Sequence, residues 1–339
     1  MNILITGGCG FLGARLARTL LAQGTLSLAG APAQPITTVT LADRVPPPDD
    51  LARDPRIAFV GGDLNELLDC KQLPNAGVAL IFHLAAAVSG ECEADFDLGM
   101  RSNLDATRAL LEGCRALGTQ PVLVFSSSVA VFGNSPEQPL PAVIEDMTLP
   151  TPQGSYGIQK FMGEQLVADY TRKGFVQGRN VRLMTVSVRP GRPNGAASSF
   201  LSGMLREPLA GVRARVPVHP DTAVALSSPA STIAGLLRAA QAGSREWGAR
   251  TAVNLPALTV TVREMAAALE RVAGPAATAL LDWDIDEGIT AIVGNWPSRV
   301  QAARASMLGL RADDNFEDVI RDYVRENPGA VKLSLQEGL

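Results

Sequence analysis

Tyr156 and Lys160 stand four residues apart in Ser155-Tyr156-Gly157-Ile158-Gln159-Lys160, in a chain that holds only three tyrosines and four lysines. On a helix this spacing stacks both side chains on one face, which brings an ammonium within a turn of a phenol and favours the ionised phenol. A phenol of ordinary pKa, about 10, could then take a proton at neutral pH. A surface helix pair gives the same pattern, so the spacing alone decides nothing. Upstream, the apolar run Val124-Phe125 leads into Ser126-Ser127-Ser128. A hydroxyl donor at the carboxyl end of a strand lies on the edge where open α/β sheets bind ligands. A serine cluster by itself is as readily a turn or a cap.

These groups need a scaffold, and the amino terminus supplies the first sign of one. Met1-Asn2-Ile3-Leu4-Ile5-Thr6 reads as a short buried strand, Gly7-Gly8-Cys9-Gly10-Phe11-Leu12-Gly13 follows, and a helical pattern begins. Gly8, Gly10 and Gly13 satisfy G-x-G-x-x-G, and Gly7, Gly10 and Gly13 satisfy G-x-x-G-x-x-G. Strand, glycine turn and helix in that order are the setting in which a dinucleotide pyrophosphate rests on helix-terminal amides. Beyond it, strands near 2–6, 37–42, 57–60, 79–83 and 121–126 alternate with helices near 11–23 and 91–117. That alternation predicts an α/β fold, a Rossmann-like doubly wound parallel sheet. Residues 155–172 read as the tyrosine-bearing helix and Val181 to Val188 as the sixth strand.

After Arg189-Pro190-Gly191, Pro, Gly and Ser punctuate the chain to residue 229, which suits a smaller C-terminal substrate-binding lobe. Residues 224–241 look like a strand and helix returning to the sheet, Val260 to Met265 opens a further amphipathic helix, and Phe316 to Tyr323 starts a last one. The expected division is 1–189 with a returning segment of about 224–255 as the dinucleotide-binding domain, and 190–223 with 256–339 as the lobe. An alanine-, glycine- and proline-rich insertion at 25–35 pushes Asp43 to 30 residues beyond Gly13, farther than the usual spacing of about 20. Asp43 still follows directly on the strand Ile36 to Leu41. A carboxylate there accepts hydrogen bonds from a ribose diol and repels a 2′-phosphate, which favours NAD over NADP. The neighbouring Arg44 keeps the opposite preference open.

Together these motifs resemble the extended short-chain dehydrogenase/reductase family, the branch containing the NAD-dependent epimerases and dehydratases of nucleotide sugars. The resemblance covers most of the chain and includes Gly62-Asp63-Leu64, Phe82-His83-Leu84-Ala85-Ala86-Ala87 and Asn103. It implies that Gly7, Gly10, Phe11, Leu12, Gly13 and Asp43 hold pyrophosphate and ribose, and that Asp63 and Leu64 flank adenine. Leu84, Ala85, Ala86 and Asn103 would line the nicotinamide half. By the same matching Ser128 is the catalytic hydroxyl, Tyr156 the acid/base and Lys160 the ribose clamp, with no metal needed. The family also implies a homodimer whose seam is built from helices 91–117 and 155–172.

Composition bounds the partners. With 339 residues and 46% hydrophobic content the chain can bury a large core, and a formal charge of -4 with pI near 5.4 leaves no footprint for nucleic acid. Cys9, Cys70, Cys92 and Cys114 lack C-x-x-C spacing, so neither a zinc site nor a disulfide framework is indicated and a reducing compartment is expected. A first strand starting at residue 2 and the lack of any run of 18 apolar residues argue against an export signal or a membrane span, so the expected location is cytoplasmic.

The substrate must be argued from groups outside the cofactor site. The epimerases carry R-[YP]-x-N after the sixth strand, whereas this chain has Arg189-Pro190-Gly191-Arg192. An arginine in place of that asparagine suits a carboxylate, gripped through two parallel hydrogen bonds, although a loop arginine is an equal reading. The segment 189–200, Arg206-Glu207-Pro208-Leu209 and Ser227-Ser228-Pro229 resemble the family members that oxidise a four-carbon sugar acid. That likeness implies NAD-dependent oxidation of an aldonate at C2, with Ser127, Ser128, Tyr156, Arg192, Asn194, Ser198 and Ser199 as substrate contacts; His219 is a further possible lobe contact. Two alternatives stay open: a UDP-sugar 4-epimerase, for which Arg213, Arg215 or Arg299 would meet the diphosphate, and a non-catalytic NAD-sensing regulator.

Overall fold

The computed structural model describes residues 1–191 and 196–333. Its main sheet holds β1 (Asn2–Thr6), β2 (Thr38–Asp43), β3 (Ile57–Gly61), β4 (Val78–His83), β5 (Val122–Ser128), β6 (Gln177–Leu183) and the short strand Val253–Asn254. They lie in the order β3-β2-β1-β4-β5-β6 followed by Val253–Asn254, every pair parallel. Ile3, Leu4 and Ile5 are buried in succession, as a strand covered on both faces requires. The order in which strands are added to the sheet reverses between β1 and β4, which opens a crevice over the carboxyl ends of the strands.

One face of the sheet is covered by α1 (Phe11–Gln23) and α5 (Pro229–Gln241), the other by α2 (Ala106–Leu117) and α3 (Ser155–Arg172). Leu16, Leu20, Ile233 and Leu236 fill the first interface, and Leu110, Leu111, Phe125 and Val167 the second. A separate apolar core gathers α4 (Phe200–Leu209), α6 (Val262–Ala273) and α7 (Phe316–Glu326) around Leu205, Met265, Leu269 and Ile320. Each such side chain contributes roughly 1.5–3 kcal/mol when fully buried.

Three local expectations are corrected. The helix expected over 91–117 is interrupted: Asp95 is extended at φ -140°, its carboxylate caps Phe96–Gly99 by accepting from Leu98 N at 2.9 Å, and a π-helical stretch Met100–Asp105 leads into α2. The sixth strand runs over Gln177–Leu183, not 181–188. Its polar residues hide it from an apolar-run criterion, yet Arg179, Asn180 and Arg182 are buried with partners of their own. Past Leu183 the chain leaves the main sheet, and Thr185–Val186 pairs in parallel with Ala223–Ser227, itself antiparallel to Leu258–Thr261. So of the returning segment only α5 and Val253–Asn254 reach the main sheet, while its first strand belongs to this second sheet.

Candidate active site

The site begins with how closely α3 lies on the end of β5. At Gly157 a Cβ would stand 2.0 Å from the Ala130 carbonyl, so only glycine permits the approach. That contact sets Tyr156 beside Ser128, whose hydroxyl lowers the phenol's pKa. Ser128 Oγ also accepts from Ala130 N at 3.1 Å. Lys160 is buried, donates to the Ser126 carbonyl at 2.8 Å, and lies 5.7 Å from the Tyr156 ring centroid and 5.0 Å from that of Phe125.

The electrostatics differ from the helix-spacing argument. Burial pushes the Tyr156 phenol up to about 12, and the groups that pull it back are the Ser128 hydrogen bond and the charge of Arg189. Burial likewise brings Lys160 down to about 8. The ammonium sits over the ring and is engaged by a backbone carbonyl, and at the phenol burial is the largest effect and sets the direction of the shift.

Behind this group lies a buried ion pair. Glu164, one turn beyond Lys160 on α3, receives a forked contact from Arg182 on β6, at 2.8 Å to Nε and 2.7 Å to Nη2. Ser127 donates to the same carboxylate at 2.5 Å. The Ser127 hydroxyl, expected at the substrate, is engaged by Glu164 and ties β5 to α3, although the residue still lines the cavity that holds Ser128 and Tyr156. Arg182 also lies 4.8 Å from the Phe132 ring centroid.

A trench runs along the carboxyl ends of the strands as two joined cavities that share Gly7, Gly10, Leu84 and Ala86. The outer one, ≈ 380 Å³, is lined by Asp43, Arg44, Asp63, Leu64 and Ala85 among others. The inner one, ≈ 290 Å³, is lined by Phe11, Leu12, Gly13, Ser128, Tyr156 and Lys160. Gly7 has φ +67° and a Cβ there would meet Ala85 N at 2.8 Å, which lets the loop fold against β4. At Gly10 a Cβ would instead enter the trench, with only the Gly7 carbonyl near it at 3.3 Å. A space bounded by bare backbone at the start of α1, with a carboxylate at the end of β2, fits a pyrophosphate and a ribose diol. Asp43 accepts from Cys9 N at 3.0 Å and Val45 N at 3.3 Å, which fixes its position. Asp63 caps the helix Leu64–Asp69 through Asn65 N at 3.0 Å. Asn103 lines neither cavity: it is buried and bonds both backbone groups of Ala87, at 2.8 and 3.2 Å, and Gln159 at 2.8 Å, so it braces the trench wall from behind.

On the substrate side Arg192 and Asn194 lie outside the described residues. Ser199 is on the turn Ala197–Ser199, but Ser198 and Ala196 are the residues of that segment lining the inner cavity. His219 is exposed beside Asp221 and lines no cavity. The side chain missed from the sequence is Arg189. It lines the inner cavity, its charge acts on Tyr156, and its guanidinium has no ion pair or hydrogen bond among the described residues. Its backbone is clamped by α4, with Arg189 N donating to Ser202 Oγ at 3.0 Å and Arg206 donating to the Arg189 carbonyl at 2.8 Å. Trp296, also unanticipated, closes the cavity from the other lobe. The three arginines considered for a diphosphate line none of these cavities. Arg213 pairs with Asp282, Arg215 with Asp284 and Asp286, and Arg299 is exposed.

Sequence and structure comparisons agree with this geometry. The chain is 50% identical over 332 residues to the D-erythronate dehydrogenase of Cupriavidus necator, covering 98% of this chain and 100% of that one. It is 42% identical to the D-erythronate dehydrogenase of Haemophilus influenzae, covering 96% and 99%. Among solved structures it is similar to a nucleoside-diphosphate-sugar epimerase from Agrobacterium tumefaciens, with TM-score 0.88, 39% identity and coverage of 97% and 95%. Residues 3–221 match the NAD dependent epimerase/dehydratase family. With the glycine loop, the Asp43 carboxylate and the Ser128–Tyr156–Lys160 cluster on one trench, the chain belongs to the NAD-dependent epimerase/dehydratase family and is an NAD-dependent enzyme.

Proposed function

We propose that the protein oxidises the C2 hydroxyl of a four-carbon sugar acid, D-erythronate or a near relative, to the 2-keto acid. The observation carrying this is Arg189, a cation that has no partner among the described residues, is held largely away from water, and lines the same cavity as Tyr156. A carboxylate is the anion that matches one guanidinium, whereas a diphosphate needs more cations than Lys160 and Arg189 provide among the described lining residues. The two D-erythronate dehydrogenases support the same substrate class.

In this reading Arg189 holds C1, the Ser128 hydroxyl hydrogen-bonds the oxygen on C2 as it becomes a carbonyl, and Tyr156 takes that hydroxyl's proton. Lys160 holds the ribose hydroxyls of NAD and keeps a positive charge beneath the phenol ring. Gly7, Gly10, Phe11, Leu12, Gly13 and Asp43 hold the cofactor's pyrophosphate and adenine-side ribose, and Asp63 with Leu64 the adenine. NAD supplies the acceptor for the C2 hydride. The lobe of 190–223 and 256–339 covers the acid, and the domain of 1–189 with about 224–255 carries the cofactor. The test is NAD reduction followed at 340 nm with D-erythronate, the matching alditol and UDP-glucose. Activity with the acid and loss with the alditol is the expected result; interconversion of UDP-glucose with its C4 epimer and no aldonate activity would replace this function by an epimerase.

We further place the enzyme in the cytoplasm as a homodimer. Its four cysteines are free thiols, and no described helix is long and apolar enough to cross a membrane. Ile158 and Met162 are exposed one turn apart on α3, as is Phe96 near the start of the helix leading to α2, an apolar strip suited to a second copy. Light scattering should return twice the 35.6 kDa chain mass.

A further inference from the structure

A third cavity, ≈ 280 Å³, lies on the far side of Tyr156. It is as large as the inner trench cavity and shares Ser89, Ala130, Tyr156 and Trp296 with it. Arg189 lines only the first of the two. An acid whose carboxylate lies at Arg189 and whose C2 lies at Tyr156 therefore points its remaining carbons at the shared wall. A four-carbon acid has only C3 and C4 to send there, far less than the cavity holds.

The lining restricts what can enter. Phe132, Gly133, Gly157, Ala291 and Ile292 make most of the wall apolar, the polar side chains Ser89, Gln153, Asn295 and Tyr156 are uncharged, and among the described residues no lysine or arginine lines the space and Glu93 is the one carboxylate. Glu93 is held in place because its Oε1 accepts from Ser155 N at 2.6 Å. A phosphate or second carboxylate would meet a fixed negative charge with no counter-ion among the described residues, whereas an uncharged chain would exchange water for apolar contact.

We propose that this cavity is a subsite for the uncharged tail of a 2-hydroxy acid, that it extends the substrate range beyond four carbons, and that Glu93 excludes diacids. The inference rests on the aldonate reading above and deepens it. The test compares kcat/KM for D-erythronate, the 2,3-dihydroxyhexanoate of matching configuration and meso-tartrate, in the unmodified protein and in Ile292→Trp, Ala291→Phe and Glu93→Gln. The dihydroxyhexanoate should be oxidised at least as well as D-erythronate, and meso-tartrate poorly. Either chamber-filling variant should lower the ratio of dihydroxyhexanoate to D-erythronate by about tenfold or more, the discrimination a pocket achieves per methylene. Two such variants guard against one of them failing to fold. Glu93→Gln keeps an acceptor for Ser155 N and should raise meso-tartrate turnover by about tenfold. D-erythronate activity without any on the longer acid, or an unchanged ratio in both chamber-filling variants, would overturn the subsite while leaving the aldonate reading intact. Failure of every 2-hydroxy acid to reduce NAD would bring down the aldonate reading and the subsite with it.

Discussion

Around Gly7 and Gly10 the trench wall is backbone from neighbouring strand ends, while around Arg189 and Trp296 it is side chains brought together from segments more than a hundred residues apart. In the proposed function the glycine end would recognise what every dinucleotide shares, a pyrophosphate and ribose, and backbone amides at a helix start suffice for that. The arginine end would have to tell one small acid from another, and that takes a charge held at a chosen point by groups with no other reason to be adjacent. Arg189 has its carbonyl bound by Arg206 and its amide by Ser202, both on α4, so the smaller lobe holds the backbone from which this cation projects, beyond the point where the chain has left the main sheet.

The sharpest break between the two regions should come from the group they share. Tyr156→Phe removes the hydroxyl that exchanges the proton and leaves the ring in place, so turnover should fall by about 10² to 10⁴ with NAD affinity nearly unchanged by fluorescence titration. Near-normal kcat would remove Tyr156 from the chemistry. Next in size is the buried pair beneath it. Glu164→Ala leaves Arg182 buried without a counter-charge and frees Ser127, which should cost about 3–5 kcal/mol of unfolding free energy, read as a lower urea midpoint; Glu164→Gln, which keeps an acceptor, should recover part of that. An unshifted midpoint would mean the pair carries no stability. Arg189→Met should spare NAD binding, raise the KM for D-erythronate by roughly thirtyfold or more, from the about 2–5 kcal/mol of a lost buried charge contact, and also lower kcat because a charge that pulls the phenol down is gone. A matching loss of NAD affinity would show that the two ends are not separable.

A smaller effect belongs to the cofactor end: Asp43→Ala should narrow the preference for NAD over NADP by about tenfold, one unit charge in a polar setting, while leaving D-erythronate KM alone. Equal kcat/KM for both cofactors before the substitution would contradict the carboxylate's role and leave Arg44 in control. The last test is the pH profile. With Tyr156 pushed up to about 12 and Lys160 brought down to about 8, the form carrying both phenolate and ammonium grows tenfold per pH unit below about 8 and is level above it. The logarithm of kcat/KM for the acid should therefore rise with unit slope and bend near 8, and a flat profile between pH 6 and 8 would contradict the pairing.

The sequence by itself determined the parallel sheet, the order of strand, glycine turn and helix, and the presence of Ser128, Tyr156 and Lys160 on one cavity, because each rests on short-range spacing. Apolar runs of period-free strands, glycines three apart and a one-turn separation survive folding unchanged. Other features were decided only when distant segments met. The sixth strand was misplaced since its buried arginines and asparagine are stabilised by Glu164 and Ala242, partners 16 to 63 residues away that no local window contains. Asn103 and Ser127 have side chains suited to a ligand, but the fold uses them to brace Ala87 and Glu164. Arg189 looked like the preamble to Arg192, and nothing in its neighbours announced that α4 would hold it at the phenol. Tyr156's own acidity is likewise a tertiary property: the helix brings a lysine one turn away, but burial pushes the phenol the other way. Desolvation depends on everything that covers a group, so one turn of helix could not have determined it.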